Sequence, residues 1–232
     1  IPFCIAFVVC SCGGGGGSAQ VTSYSPSTPV VGAERISNVT IVDNANNTIN
    51  MQGGLRLVVN SVNADGSFVY HQDDPANNTS IVNGTNFSVL AADITANAFD
   101  QTKLITYTAS NISCVFSPNG GGPTYPVQVG SEWSATWTET CGSSPSLIYV
   151  QTGKVVGIET ITVPAGTFNT LHLAITTRYT NSVGTTTTAV SDAYKRSSDL
   201  MNIKSVTSYT YSGTIPSNGH PVSRTIALLS YQ

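Results

Sequence analysis

Charge is what this sequence has least of. Its 232 residues carry 9 Lys and Arg and 12 Asp and Glu, together 9% of the chain, where an average globular domain has roughly 25%. Long charged side chains ordinarily coat the outer faces of helices, so their scarcity argues against a helical body. No amphipathic run of four helical turns occurs anywhere. The basic residues form no stripe or cluster, which argues against nucleic acid as a partner, and a formal net charge of −3 is too small to imply a cationic ligand. No apolar run reaches the ~20 residues that cross a bilayer as a helix. The three histidines, His71, His172 and His220, are isolated from one another, and no Gly-x-Ser-x-Gly elbow accompanies the many serines. No catalytic residue is therefore assigned.

What is present is the vocabulary of strands and turns. Hydrophobic residues make up 40%, enough for a core, and Thr, Ser, Asn and Gly fill much of the rest. β-Branched Thr and Val pack well on a pleated surface, while Asn and Gly tolerate tight reversals. From Ile36 onward short alternating runs recur: ISNVTIV, GLRLVVNSV and GSFVYHQ, then FSVLAAD, TKLITYTAS and ISCVFS. NADGS between the second and third is a hairpin signal. SPNGGGPTYP reads as a loop, because its glycines and prolines preclude regular structure. The second half has longer strands. SEWSATWTETC puts Trp133, Ala135 and Trp137 on one face. Leu147 to Val163 reads as one strand with Gly153 and Gly157 as bend or bulge points. In FNTLHLAITTRYT, Leu171, Leu173, Ile175 and Tyr179 share a face and His172, Thr176 and Arg178 take the other. GTTTTAVSDAYKR, NIKSVTSYTYSG and VSRTIALLSYQ complete the series. The expected fold is all-β and antiparallel: a strongly curved sheet, half-open clam or barrel-like, or a β-sandwich.

The opening IPFCIAFVVCSCGGGGGSAQ stands apart. Ile1 to Val9 has the length of a signal-peptide apolar region; the absent Met and basic residues are read as clipping of the first few positions. Val9-Cys10-Ser11-Cys12 follows, an aliphatic residue and then a small one before cysteine. This order resembles the bacterial lipobox, and the resemblance implies a lipid-modified Cys12 as the mature N-terminus, with diacylglycerol on its thiol. An ordinary signal peptide is the alternative. Gly13 to Gly17 cannot fold, since glycine loses most backbone entropy and buries nothing. In proteins with a lipobox, Gly13 rather than Asp after the cysteine implies the outer membrane. The expected organisation is residues 1–11 as signal peptide, 12–33 as lipidated cysteine and tether, and 34–232 as a single all-β domain.

Five cysteines fit this scheme. With Cys4 and Cys10 removed and Cys12 lipidated, Cys114 and Cys141 remain for a disulfide in an oxidising compartment; two buried thiols are the other possibility. No Cys or His neighbours them at metal-ligand spacing, and no metal or other cofactor is expected. Asp43 and Asp73-Asp74 are better explained by turn chemistry than by calcium, for want of the spacing of a calcium loop. Glu132, Glu139 and Glu159, on neighbouring strands, could pair for acid–base work or stand singly. Trp133 and Trp137, with Tyr209 and Tyr211 of the Tyr-rich strand, could line an apolar groove or simply pack a core.

The stretch GKVVGIETITVPAGTF is the most distinctive. Its Gly157, Glu159, Ile161, Val163, Pro164, Ala165, Gly166 and Phe168 are similar to a signature of TapB-like exported bacterial proteins of unknown function. That resemblance, over roughly 127–232, implies a strongly curved antiparallel sheet without established catalytic residues. The expected function is thus a non-enzymatic, lipid-anchored protein of the bacterial cell envelope, structural or binding an apolar or envelope ligand in the concave face of its sheet. Its expected partners are the membrane, through the N-terminal lipid, and an apolar ligand or an envelope protein. The alternatives are a surface-exposed interaction module, such as an adhesin or assembly partner, and a hydrolase of envelope polymers. The last would need histidines or glutamates to converge in one cleft.

Overall fold

The computed structural model describes residues 22–27, 29–73, 85–90, 104–107, 112–118, 120–214 and 219–232. Residues 1–11, Cys12 and the glycine run lie outside them. Among the described residues there is no helix. Twelve antiparallel strands follow one another around a closed barrel, each paired with its neighbours in sequence. They are β1 (Glu34–Asp43), β2 (Thr48–Val62), β3 (Phe68–Asp73), β4 (Thr85–Val89), β5 (Leu104–Tyr107), β6 (Ile112–Ser117), β7 (Glu132–Cys141), β8 (Leu147–Val163), β9 (Gly166–Thr180), β10 (Thr186–Arg196), β11 (Asn202–Ser212) and β12 (Pro221–Tyr231). The seam runs from Arg35 opposite Tyr231 to Asp43 opposite Pro221. Of the expected architectures, the barrel is the one formed: the clam closes completely, and the sheet does not split into a sandwich.

Alternation along the strands sets the inner and outer faces. In β8, residues 147 to 155 alternate strictly between more and less buried, with Tyr149, Gln151 and Val155 turned inward. The register carries this parity across the sheet: Trp137, Tyr149, Tyr179, Thr187 and Tyr211 form one inward row. Gly153 has a specific reason to lack a side chain, because Trp133 lies across it. A Cβ there would sit 2.0 Å from the indole ring. The bulge falls between Val155 and Gly157.

Backbone also fills the interior. The loop after β6 brings Tyr125 and Val127 against Val155, Leu171, Leu173, Ala193 and Leu200, all buried. At its start Gly121 presses on the inward row, where a Cβ would lie 2.5 Å from Gln151 Oε1 and 2.7 Å from the Trp137 ring. Tyr24, within the segment expected to be a tether, pairs with this loop. Tyr24 and Val127 each donate a backbone N–H to the other's carbonyl, at 2.8 and 2.9 Å. A second core, Val163, Ile203 and Leu228, forms where the β8–β9 hairpin tip folds over the barrel end. There the Ala165 amide donates to the Leu228 carbonyl at 3.2 Å, on an edge of β12 that β11 no longer covers.

Two local devices fix particular turns. Cys114 and Cys141 face each other across β6 and β7 and are joined as a disulfide, 27 residues apart. In the β10–β11 turn, Arg196 holds Asp199 with two parallel bonds, Nε to Oδ1 at 2.8 Å and Nη2 to Oδ2. The Leu200 amide returns to the Arg196 carbonyl at 2.7 Å. Burial alone would raise the Asp199 carboxyl. The Arg196 bonds, the Met201 amide and the charges of Arg196 and Arg35 outweigh burial and hold it below the usual range.

Replacing both cysteines by alanine should cost about 3–4 kcal/mol from loop-closure entropy. In a chain of this size that lowers the melting midpoint by roughly 6–16 °C; an unchanged thermal melt would contradict it. A carboxylate whose folded-state pKa is depressed stabilises above its unfolded value, roughly 3.9, and that stability is lost as pH falls through the folded value. Asp199→Asn should therefore lose about 1–3 kcal/mol at neutral pH, as one partner of a part-buried charged pair. Urea titrations of variant and wild type should converge below about pH 3; a constant gap across that range would be the contrary result.

Candidate functional site

A cavity of roughly 360 Å³ lies at the end of the barrel where the N-terminal segment enters, at the small end of ligand sites, which run about 300–1,000 Å³. Its outer wall is a strap to which Pro26, Ser27, Pro29, Val30 and Ala33 contribute. Pro26 and Pro29 have no amide hydrogen, so this stretch cannot join the sheet as a strand. It is tied at its far end, where the Gly32 amide donates to Val59 and the Val59 amide to Ala33, at 2.9 and 3.0 Å. In between, Ser27 N donates to the Asp199 carbonyl at 3.3 Å. Under the strap the lining is apolar: Leu57 and Val59 from β2, Phe68 from β3, Leu200 and Met201 from the β10–β11 turn, and Tyr231 from β12.

The charged groups that line the cavity are engaged with neighbouring charges. The Arg196 guanidinium, besides gripping Asp199, lies 4.9 Å from the Tyr231 ring centre and 6.0 Å from that of Phe168, a cation–π arrangement that favours the charged form. The Asp199 hydrogen bond is the main reason its pKa is raised. Glu34 is turned toward β2: Arg56 Nη1 is 3.8 Å from its carboxylate, and the Gln232 side-chain amide donates to it at 3.1 Å. Arg56 in turn binds Asp73 through both carboxylate oxygens. This arrangement can hold an apolar group.

The residues singled out from sequence are placed elsewhere. Trp133, Trp137, Tyr209 and Tyr211 all belong to the inward face by register; none of them lines this cavity, while Trp133 lines a second, more open pocket with Lys154, Ile175 and Val190. Trp137 stacks on Tyr149 at 5.0 Å, and Tyr149 meets Tyr179 in a tilted pair at 4.9 Å. Trp133 Nε1 donates to Gln151 at 3.1 Å, and the Tyr211 hydroxyl to the Pro221 carbonyl at 2.7 Å. The Tyr149 hydroxyl donates to Glu139 at 2.6 Å, and burial together with that carboxylate pushes the phenol above its ordinary range. Glu139 also lies 3.3 Å from Cys141 Sγ, a contact only, since a disulfide sulfur carries no proton. Cys114, Glu139 and Cys141 would be close enough to share a metal ion, but the disulfide occupies both sulfurs.

The glutamates do not gather. Glu132 pairs with Lys154 on the outer wall at 2.7 Å, Glu139 is inside, and Glu159 meets His172 at 2.6 Å. That imidazole also touches Asp192 at 2.7 Å and stacks on Tyr194 at 4.7 Å. A neutral imidazole has one N–H and can donate to only one of the two carboxylates. This cluster bridges β8, β9 and β10 on the convex wall, not in a cleft. Asp192 was not singled out from sequence; its only signal was outward parity opposite Ala174, beside His172, which needs the β9–β10 register. His71 bonds Asn86 at 2.8 Å and His220 packs edge-on to Tyr211. Asp43 does turn chemistry, accepting from the Ala45 and Asn47 amides at 2.8 Å each. Cys12 lies outside the described residues.

No protein-family model matches the sequence, and no curated protein matches it. Among solved structures, the chain is similar to a Bacteroides fragilis protein described as exported and as having a YmcC-like fold. The TM-score is 0.52 at 11% identity, over 90% of this chain and 99% of that one. A Parabacteroides distasonis protein described as a lipoprotein aligns with TM-score 0.49 and 12% identity over 92% and 100% of the two chains. The hypothetical lipoprotein YmcC of Escherichia coli aligns with 0.41 and 10% over 87% and 90%. At these identities the first similarity establishes a shared fold across nearly the whole of both chains.

Proposed function

We propose that the chain is an exported protein of a bacterial cell envelope, anchored by lipid on Cys12, which works by binding an apolar envelope ligand and not by catalysis. The observation that carries the binding half is the apolar cavity under the strap, whose charged groups are already satisfied by one another. A cavity lined this way gains from excluding water, about 25 cal/mol for each Å² of apolar surface removed from it. The cluster of His172 with Glu159 and Asp192 supports the same reading by its position: by parity it stands on the outer wall of the barrel, opposite in face to Leu171 and Leu173.

The anchoring half is supported by the lipobox-like Val9-Cys10-Ser11-Cys12 and by the glycine run behind it. The resemblance of Gly157 to Phe168 to TapB-like exported proteins, and the description of the Bacteroides fragilis fold neighbour as exported, favour the same compartment. Gly13 after the cysteine favours the outer membrane. Lipid anchoring needs more than one acyl chain to be durable, which a diacylglyceryl cysteine supplies.

Expression with its own leader should place the protein in the membrane fraction with a lipid-sized mass increment on its N-terminal peptide. Cys12→Ala, or globomycin treatment, should move it to the soluble fraction or leave it unprocessed. A Cys12→Ala protein that stays in the membrane unmodified would refute the anchoring.

A further inference from the structure

Closure removes the edges of the barrel wall, but the β8–β9 hairpin outruns the strand beside it. β7 pairs with β8 only as far as Lys154. The residues before β7 extend this to Val155, which accepts from the Gly130 amide and donates to the Ser131 carbonyl, each at 2.8 Å. From Gly157 to Val163, β8 pairs with β9 alone. We propose that this free edge docks a second copy of the chain, whose own β8 edge lies antiparallel against it about a twofold axis at Thr160.

The hairpin sets the direction of the backbone groups. Val163 and Gly166 face each other across its two-residue turn as the closing bonded pair. By the alternation of an antiparallel ladder, Ile158, Thr160 and Thr162 are then non-bonded positions, whose N–H and C=O point away from β9. The side chains agree, since they lie closer in such pairs: Thr160 donates to Asn169 at 3.1 Å, and Thr162 meets Thr167 at 2.9 Å. Among the described residues nothing hydrogen-bonds to the outward backbone groups of Ile158, Thr160 or Thr162. Beside them Val156 and Ile158 are 47% and 53% exposed.

Sheet edges are ordinarily blunted by lysine, proline, charge or a bulge, and this one is not. Gly157 to Val163 contains no lysine and no proline. Its one ionisable residue, Glu159, has its carboxylate drawn to His172 Nδ1 at 2.6 Å, and the bulge falls before it, between Val155 and Gly157. The edge also matches itself. With Thr160 facing Thr160 of the second copy, Ile158 faces Thr162, and every outward N–H meets a C=O. Glu159 then faces Ile161. Sliding the register by two residues sets Glu159 against Glu159, and directly opposed like charges are destabilising. Sliding it the other way sets Ile158 against Pro164, which has no N–H to give. A twofold pairing uses the same edge on both copies, so assembly stops at two.

The test uses the full chain with Cys4, Cys10 and Cys12 replaced by alanine, so that an introduced cysteine is the only free thiol beside the Cys114–Cys141 disulfide. Sedimentation velocity should show a dimer whose share grows with concentration, since a single strand pair makes an interface of the small, transient class. Thr160→Pro removes the central N–H. Because that N–H points away from β9, the circular dichroism should be unchanged, while dimerisation weakens about tenfold or more. Thr160→Lys sets like charges face to face and should weaken it equally; should the proline variant unfold, the lysine variant decides. Val190→Lys, at an exposed position elsewhere on the wall, should leave the dimer intact. Facing Cα atoms in a bonded pair lie about 5.5 Å apart, so a nitroxide on Thr160→Cys should be dipolar-broadened in the dimer and one on Val190→Cys should not. A protein that stays monomeric at millimolar concentration overturns the proposal. So does a dimer indifferent to both Thr160 variants, which would come from another surface, the apolar N-terminal residues included. A monomer that binds an unrelated extended peptide at this edge gives the edge to a different partner and overturns it too.

Discussion

The strand count governs everything else in this molecule. Barrels of about 8 strands are just wide enough for their own side chains to fill, and those of 16–18 leave a water channel. Twelve strands fall between, too wide for side chains meeting across the axis and too narrow to be a pore. The chain resolves this by taking backbone inside. Tyr125 and Val127 cover Val155, Leu171, Leu173 and Ala193, and the strap lies against them through Tyr24. Buried backbone must still satisfy its polar groups. That is why Tyr24 and Val127 exchange two bonds, and why Gly130 N donates to the Val155 carbonyl while Val155 N donates to Ser131, each at 2.8 Å. The cavity beneath the strap is the volume this filling leaves over.

Closure also explains how a sheet protein manages with so little charge. Open sheets protect their edges with lysines and other charged residues against pairing with another chain, and a sequence with 9% charged residues has few to spend there. Pairing β1 with β12 removes the edges. Where β11 stops pairing with β12, just past Ala227, the β8–β9 tip takes up the Leu228 carbonyl through Ala165. Hydroxyls and amides then do on the outer wall what ion pairs do elsewhere. Thr180 meets Thr186 at 2.8 Å, Thr162 meets Thr167 at 2.9 Å, and Thr40 donates to Asn50 at 2.8 Å. Such cross-strand pairs each contribute about 0.2–1 kcal/mol and need no net charge.

The strands themselves were legible because their signal is local. β8 is read off its alternation from Leu147 to Val163, β6 coincides with ISCVFS, and the parity that put Leu171 and Leu173 opposite His172 is that of the folded sheet. The Cys114–Cys141 pair followed from counting. Closure was not legible, since the choice between clam, sandwich and barrel depends on β1 meeting β12, two segments nearly a chain length apart. The aromatic residues show the limit of parity. Trp133, Trp137, Tyr209 and Tyr211 do face inward, yet parity gives a face and not a depth, and the cavity lies elsewhere. Gly153 read as a bend, whereas its role is to make room for Trp133. The cavity's wall could not be found at all by pattern: Pro26 to Ala33 has neither a helical nor a strand period, and it matters only through what it lies upon.

That strap joins two properties which the sequence presents separately. Its prolines keep it out of the sheet, and it is fixed at Tyr24, at Ser27 and again at Gly32 and Ala33. The wall of the cavity and the closure of the barrel are thus separate pieces of structure, since the seam begins only at Glu34, past the last fixed point. The same segment leads back toward Cys12. Tyr24, on the N-terminal side of the strap, is held by its two bonds to Val127 against the Leu171 core. The cavity wall is thus bracketed by backbone pairs on both sides, Tyr24 with Val127 and Gly32 and Ala33 with Val59, and its position is set by the barrel.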